Sequence, residues 1–333
     1  MRGKVKRKRM VDYGRKSLIL LLSIFLLSML VFYMARLAPG DPLVAYYGDR
    51  VEKMSHEERV WAEQKLGLNE PIYIQYGKWL KNALKGDLGI SFSYKTDAVK
   101  VIHTRMANTL LLGGTGLLLI FGLALLLGVI CALKEDKWPD KILCRIGILS
   151  SCIPEFWLSL LLILIFSLWL KLLPASGAYS VGREADLGDR LIHLLLPLTA
   201  VVTGHLWYYA YLVRNKLLEE VRADYVLLGR AKGLSKRQLL LRHCLPNVLP
   251  AYIGIMAISV PHILGGTYIV EAVFSYPGIG TLAYESARVQ DYNMLMVLCL
   301  LTGVMVIVGN LIAQHINERI DPRIRKEAGR WNS

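Results

Sequence analysis

The stretch LLLGGTGLLLIFGLALLLGVICAL, residues 110–133, contains no charged side chain over 24 positions. A helix of roughly 20 apolar residues is long enough to cross the hydrocarbon core of a bilayer. Such a run is too long and too uniformly apolar for the core of a soluble protein. The stretch therefore predicts a membrane-spanning helix.

Five further stretches have the same character, except that one of them, 146–170, contains a single acid, Glu155. They are residues 18–35, 146–170, 191–213, 248–270 and 294–316. Several contain Pro or Gly, which membrane helices tolerate better than soluble helices do. The sequence predicts an all-α, polytopic membrane protein with six transmembrane helices.

The first of these spans follows a basic start, MRGKVKRKR, and could instead belong to a cleaved signal peptide. The residues after it, from Ala35 to Pro39, lack the small-x-small pattern of a cleavage site and contain proline. We therefore expect an uncleaved first helix.

The chain of 333 residues is 54% hydrophobic and carries a net charge of +14. This apolar content excludes a disordered nucleic-acid-binding tail. Segments 1–17, 134–145, 214–247 and 317–333 together hold 25 Lys and Arg against 10 Asp and Glu, whereas segments 36–109, 171–190 and 271–293 hold 15 of each. Because Lys and Arg concentrate in cytosolic loops, both termini are predicted to be cytosolic.

Two extracytoplasmic segments contain turn and helix signals. In 36–109, amphipathic stretches at Ser55–Leu66 and Ile72–Leu84 predict an ordered cap, and Ser55 with Glu58 fits a capping box. The cap is either a packing element or a docking surface for an external partner. In 271–293, Pro277-Gly278 followed by Gly280 predicts a tight turn. That turn is either a plain loop or a re-entrant element lining a pathway, which makes Glu271, Pro277 and Gly278 candidate pathway residues.

The cytosolic segment 214–247 contains two amphipathic stretches, about Leu217–Ala231 and Ser235–His243. Gly233 between them suits the left-handed residue after a helix, and Ser235 suits the N-cap of the next. We call residues 222–238 the elbow. From these residues alone, it either rests on anionic lipid or docks on a partner protein.

Motifs for catalysis and metal binding are missing from the sequence. It has no Gly-x-x-x-x-Gly-Lys-Ser/Thr loop, no His-Glu-x-x-His and no Gly-x-Ser-x-Gly. The odd number of cysteines indicates neither a disulfide framework nor a zinc site. They are Cys131, Cys144, Cys152, Cys244 and Cys299. We predict no catalytic residue, no metal ligand and no cofactor in this chain, which is therefore not expected to be an enzyme.

Ionisable groups inside predicted spans are functional candidates by default. Those singled out are Glu155, His193, His205 and His262. A hydrogen-bonded packing role is the alternative for each histidine. Glu155 follows Pro154 and is expected near the cytosolic end of its span, within reach of water or a basic residue. Glu155, His205 and His262 are the candidate pathway or gate residues.

A series of short motifs occurs in order along nearly the whole chain. They are RLAPGDP (36–42), LGLNEP (66–71) with Gln75-Tyr76, GDLGIS (86–91), Pro154 with FWL (156–158), LPASG (173–177), VFSYPGIG (273–280), Asp291-Tyr292 and DPRIR (321–325). In these the chain resembles the permease subunits of bacterial ABC importers of the dipeptide/oligopeptide/nickel type. The resemblance implies the ABC importer permease fold, with 110–316 as the core permease domain.

The elbow is similar to the ATPase-coupling loop of that family. The matching positions are Asp224, Tyr225, Gly229, Arg230, Ala231, Lys232, Gly233, Leu234, Ser235 and Pro246. Two departures occur. Gly229 stands where the family has alanine, and Leu227-Leu228-Gly229 stands where the general importer pattern has Glu-Ala-Ala.

The resemblance further implies a multi-pass protein of the bacterial inner membrane. Its partners would be a second homologous permease, two cytosolic ABC ATPases holding ATP and magnesium, an extracytoplasmic substrate-binding protein and the lipid bilayer, with no nucleic acid. The stretches 89–92 and 265–274 look more like nickel-type than dipeptide-type permeases, so nickel is slightly favoured over di- or oligopeptides.

Two other classes of function stay open on the residues alone. A secondary transporter or channel without ATPases would need paired intramembrane charges or an inverted repeat, and the sequence offers little of either. A membrane-anchored sensor or assembly factor would explain the cap but not the elbow.

Overall fold

The protein is helical in the computed structural model, which describes residues 2–38, 41–65 and 67–320. The helices are α1 Arg2–Leu37, α2 Pro42–Tyr47, α3 His56–Lys65, α4 Ile72–Ala83, α5 Ala98–Leu133, α6 Trp138–Ser151, α7 Glu155–Leu162, α8 Leu187–Val221, α9 Asp224–Ala231, α10 Lys236–Leu239, α11 Leu245–Val273, α12 Ile279–Arg288 and α13 Tyr292–Ile320. One 3₁₀ turn (Gly48–Lys53) and two π-helical stretches (Ile163–Trp169 and Leu240–Cys244) complete them. No β-strand occurs in the described residues, so the predicted all-α class is confirmed.

Some of the predicted motifs lie partly or wholly outside the described residues. These are DPRIR at 321–325, with the rest of the C-terminal segment after residue 320, and residues 39, 40 and 66.

Five helical segments are long and apolar enough to cross a membrane. They are Leu18–Leu37, Ala98–Leu133, Leu187–Val221, Lys236–Val273 and Tyr292–Ile316. The sixth candidate is a bent pair, Trp138–Ser150 with Glu155–Trp169, whose halves meet at 104°. The predicted set of six spans is reached when this pair counts as one span.

The third span differs from the expectation of one continuous helix over 146–170. The helix stops at Ser151 and restarts at Glu155. Pro154 accounts for the break, because proline lacks the backbone N–H and disfavours helical geometry in the residue before it. The span is therefore two short helices at a steep angle.

Helices also extend past the apolar stretches that predicted them. For example, α8 covers 35 residues and begins at an Asp186 N-cap, whose carboxylate accepts the N–H of Gly188 at 2.9 Å. Hydropathy marks only the part of a helix in hydrocarbon, whereas caps decide where the helix ends.

The chain divides into two compact units: Met1–Ala107 with Thr281–Val308, and Asn108–Gly280 with Gly309–Ser333. The predicted core region 110–316 therefore differs from the second unit, because residues 281–308 group with the N-terminal part.

The first unit contains the cap. The predicted capping box is confirmed, since Ser55 N–H donates to Glu58 at 2.8 Å and Glu58 N–H donates to Ser55 Oγ at 3.2 Å. The buried carboxylate of Asp291 accepts from Ser91 Oγ at 2.5 Å and from Met294 N–H at 3.1 Å. These bonds tie the start of α13 to the loop before α5, which explains why 281–308 groups with this unit.

The second unit has one continuous apolar core built from α5, α6, α8, α9 and α11. Its helices approach closely at small residues, as membrane helices commonly do. A Cβ added at Gly128 of α5 would lie 2.6 Å from Val213 Cγ1 of α8. Nearby, Tyr252 of α11 donates its hydroxyl to the Phe121 carbonyl at 2.8 Å. This core supports every candidate site described below.

Candidate functional site

The elbow begins where α8 ends. The predicted helical stretch Leu217–Ala231 is in fact broken, because α8 stops at Val221 and α9 starts at Asp224. Ala223 between them is extended, with ψ near 150°. The elbow therefore starts with a separate short helix, α9, that is not a continuation of α8.

The turn inside the elbow has the predicted local structure. Gly233 adopts the left-handed conformation with φ +84°, and Leu234 N–H donates to the Gly229 carbonyl at 3.2 Å, the pattern of a Schellman end. Ser235 then caps α10 in a capping box with Gln238. Both cap assignments made from the sequence are confirmed.

The inner face of the elbow is packed. Val226 of α9 is buried together with Leu239 and Leu240 after the turn. A Cβ added at Gly229 would lie 2.4 Å from Leu239 Cδ2. Glycine at 229, where the resembling family has alanine, therefore lets α9 pack closely against α10.

The outer face of the elbow is apolar and basic. Leu227 and Leu228 are 56% and 58% exposed. The polar positions around them, Arg230, Lys232, Lys236 and Arg237, are exposed as well. Apolar side chains next to cationic groups on a rigid turn form a surface suited to contact with another protein.

Tyr225 fixes the elbow to the helices on either side of it. Its hydroxyl donates to Glu220 near the end of α8 and accepts from Asn247 Nδ2 of α11 at 3.2 Å. Burial, reinforced by the Glu220 hydrogen bond, raises the pKa of Tyr225 above its usual range, so the hydroxyl stays a donor at neutral pH. Pro246 lies in the first turn of α11, a position where proline suits a helix start.

Two ion pairs link the base of the elbow to the segment around α6. Arg214 makes two bonds to Asp140, of 2.6 and 2.7 Å, and Asp140 is only 2% exposed. Arg222 pairs with Glu135 at 3.2 Å on the exposed surface. Sequence reasoning missed both pairs, and nothing in the local pattern of either segment indicates its partner.

Glu155, His205 and His262 lie together in the second unit. His205 Nδ1 is 3.0 Å from Glu155 Oε1, and the rings of His205 and His262 have centroids 6.0 Å apart. Glu155 was expected to reach water or a basic residue near the cytosolic end of its span. Its partner is the basic side chain of His205, 18 residues from the start of α8. His193 has a packing environment, with Nδ1 at 2.9 Å from the Asp189 carbonyl.

The other candidate pathway residues, Glu271, Pro277 and Gly278, lie in a tightly packed cluster. Glu271 is fully buried and its Oε2 accepts the N–H of Gly280 at 2.6 Å. Asn108 Nδ2 donates to the Pro277 carbonyl at 2.9 Å. The carboxylate thus holds the start of α12 and lines no open surface in this conformation.

Two glycines in this cluster are required because neighbouring atoms leave no space for a side chain. The left-handed residue of the turn is Ser275, with φ +46°, and not Gly278 as a tight Pro-Gly turn would suggest. A Cβ at Gly278 would lie 2.3 Å from Glu271 Oε2, and one at Gly280 would lie 2.3 Å from Tyr268 Cα. Burial, and to a smaller extent the negative charge of Glu271, raises the pKa of Tyr276 beside this cluster to about 12.

Gly280→Ala is expected to destabilise the protein by about 1–3 kcal/mol, the usual cost of overpacking. The contact is with the backbone at Tyr268, so no side-chain rotation relieves it. Apparent melting temperature of the purified protein in detergent measures the effect. Gly114→Ala in α5 is the matched control, since no atom of the described residues lies within 4 Å of its added Cβ. Equal melting temperatures for the two variants would contradict the close approach.

Metal binding has no counterpart among the described residues, where no group of three or more His, Cys, Asp or Glu side chains is placed to hold an ion.

Comparison with known proteins gives the following similarities. The family described as "Binding-protein-dependent transport system inner membrane component" matches residues 124–326. The chain is 34% identical over 309 residues to the oligopeptide transport system permease protein AppB of Bacillus subtilis, covering 92% of this chain and 96% of that one. It is 31% identical over 319 residues to the glutathione transport system permease protein GsiC of Escherichia coli K12, covering 95% and 99%.

A solved structure of the MetNI methionine ABC transporter in an inward-facing conformation has a similar fold. The TM-score is 0.52 at 16% identity, over 67% of this chain and 97% of that chain. At this identity the similarity concerns the fold alone.

Proposed function

The chain belongs to the family of inner membrane components of binding-protein-dependent transport systems, in its peptide/nickel branch, and on this premise we propose that it carries short peptides across the membrane in an ATP-driven importer. It is a multi-pass membrane component of an ABC importer and not an enzyme. ATPase subunits and a substrate-binding protein are its partners, as in the rest of the family. A second homologous permease and a pair of ATPases would complete the assembly.

The elbow carries the proposed contact with the ATPases. Supporting this is its exposed surface, in which Leu227 and Leu228 stand beside Arg230 and Lys232 on a turn fixed by Gly233 and Ser235. The leucines would anchor the elbow in a groove of an ATPase and the cations would orient it. ATP and magnesium would then be held by the partner subunits.

The tie between the elbow and the spans suggests how motion would be transmitted. Tyr225 bonds to the end of α8 and the start of α11, and Arg214 joins α8 to Asp140 of α6. Movement of a docked ATPase would therefore move α6, α8 and α11 as one group. Nucleotide and loaded binding protein would each favour one of two states of the helices through contacts made only in that state.

Peptides are the proposed cargo, in preference to nickel. The relatives compared above transport oligopeptides and glutathione by their names. The slight preference for nickel from stretches 89–92 and 265–274 has no further support. A chelated nickel ion would need no metal ligands from the permease, so nickel is kept as the alternative cargo.

Reconstituted transporter, with both permeases, the ATPases and the binding protein, is expected to take up radiolabelled trialanine in the presence of ATP. Excess unlabelled trialanine should compete, whereas excess Ni²⁺ should not. Uptake of ⁶³Ni without trialanine uptake would replace peptide by nickel as cargo. Uptake driven by an ion gradient without ATP would instead support the alternative of a secondary transporter.

A further inference from the structure

One carboxylate lies at the meeting point of three span helices. Glu155 is the only Asp, Glu, Lys or Arg in the predicted spans 146–170, 191–213 and 248–270. A charge inside a membrane protein is costly unless it is paired, and it commonly marks a pathway. The neighbours of this side chain therefore indicate what it is placed to do.

Glycines on two helices make room for this carboxylate. A Cβ added at Gly204 of α8 would lie 2.8 Å from Glu155 Oε1, and one at Gly266 of α11 would lie 3.3 Å from Oε2. Larger residues at either position would displace the carboxylate. The backbones of α8 and α11 thus enclose a group carried by the first turn of α7.

The two oxygens of Glu155 have different environments. Oε1 faces His205 Nδ1 at 3.0 Å, and the same nitrogen faces the Val201 carbonyl at 3.1 Å. Two oxygen acceptors at one ring nitrogen place the hydrogen on Nδ1, which donates. Oε2 has no hydrogen-bond donor among residues 2–38, 41–65 and 67–320, and the side chain is 20% exposed. Oε2 is therefore the oxygen that a ligand reaching this partly exposed side chain would bind.

A primary ammonium group fits this opening better than other cations do. A neutral imidazole donates a hydrogen bond but leaves the negative charge uncompensated. A guanidinium pairs best with both oxygens of a carboxylate, and one of them is taken by His205. A metal ion would need more ligands than the surrounding described residues supply. An ammonium donates three hydrogens from one point and needs only one open oxygen.

We infer that Glu155, held by His205, binds the primary ammonium group of the cargo during its passage through the transporter. The inference rests on the proposed function, because peptides carry such a group at the N-terminus. His205 is a positioning residue that fixes the carboxylate, and Gly204 and Gly266 leave space for it.

Glu155→Gln in the complete transporter is expected to lower ATP-driven trialanine uptake about tenfold to a hundredfold, the range for losing a charged hydrogen-bond partner. Glu155→Asp keeps the charge and should retain a larger part of the uptake. Glu184→Gln, which removes an exposed carboxylate from the segment 171–190, should leave uptake unchanged. Wild-type uptake in Glu155→Gln overturns the inference.

Direct binding provides a readout that a structural role would not change. Equilibrium dialysis of the purified transporter, without binding protein, should show retention of labelled trialanine that excess trialanine displaces and N-acetyl-trialanine does not. Equal displacement by the acetylated peptide, or no retention at all, overturns the inference.

A lysine of the second permease is another possible source of the ammonium group, and co-purification separates the two sources. The second permease should co-purify equally with wild type and with Glu155→Gln, and its loss from the variant overturns the assignment to cargo. If wild type itself takes up no peptide, the proposed function fails. If wild type transports and Glu155→Gln does so equally well, only this inference fails.

Discussion

Gly233→Asp is expected to abolish ATP-driven uptake, with a decrease of at least about 30-fold, while the protein still inserts into the membrane. Gly233 has φ +84°, and no atom of the described residues lies within 4 Å of an added Cβ. Aspartate tolerates the left-handed conformation better than most residues. The new side chain therefore meets open space within this chain and would project acidic charge into the proposed ATPase groove. Loss of about 2 kcal/mol at an interface hot spot corresponds to this decrease.

Gly182→Asp is the matched control for this variant. Gly182 has nearly the same φ, +81°, and equally open surroundings among the described residues, but lies in the segment 171–190, which is predicted to be extracytoplasmic. Uptake by reconstituted transporter and co-purification of the ATPases measure both variants. Normal uptake and normal ATPase association in Gly233→Asp would overturn the assignment of the elbow as the coupling element.

Asp140→Ala is expected to destabilise the protein by about 3–5 kcal/mol, the cost of removing one partner from a buried ion pair. Asp140 is 2% exposed and makes two bonds to Arg214, whose side chain is 16% exposed. Without the carboxylate, the guanidinium is left largely buried and uncompensated. The apparent melting temperature of the purified protein measures the loss.

Glu135→Ala removes the acid of the neighbouring pair and serves as the control. Its partner Arg222 is 74% exposed, so the cost should be about 0–1 kcal/mol. Removal of both charges in Asp140→Ala/Arg214→Met should recover part of the stability lost in Asp140→Ala. Equal melting temperatures for Asp140→Ala and Glu135→Ala would show that burial of the Arg214 pair contributes nothing.

Structural features set by residues that are close together in the sequence could be predicted from it. A run of apolar residues is long enough for a bilayer whatever surrounds it, and the excess of Lys and Arg in alternate segments predicts an orientation. Caps are equally local, because Ser235 bonds to Gln238 three positions away and Ser55 bonds to Glu58. Pro154 is also a local signal for the break that follows Ser151. The sequence alone does not predict this break, because α11 contains prolines and stays continuous.

Tertiary structure alone decided which distant residues meet. Glu155 and His205 are 50 positions apart, and Asp140 and Arg214 are 74 apart. Such pairs depend on the rotation and register of whole helices, which hydropathy does not encode. The same holds for Gly280, whose role comes from a backbone that approaches it in space. The sequence by itself predicts a six-span membrane protein with an elbow on the cytosolic side, because length, charge and caps act locally. Packing between helices alone decided the surroundings of Glu155, at the meeting point of α7, α8 and α11.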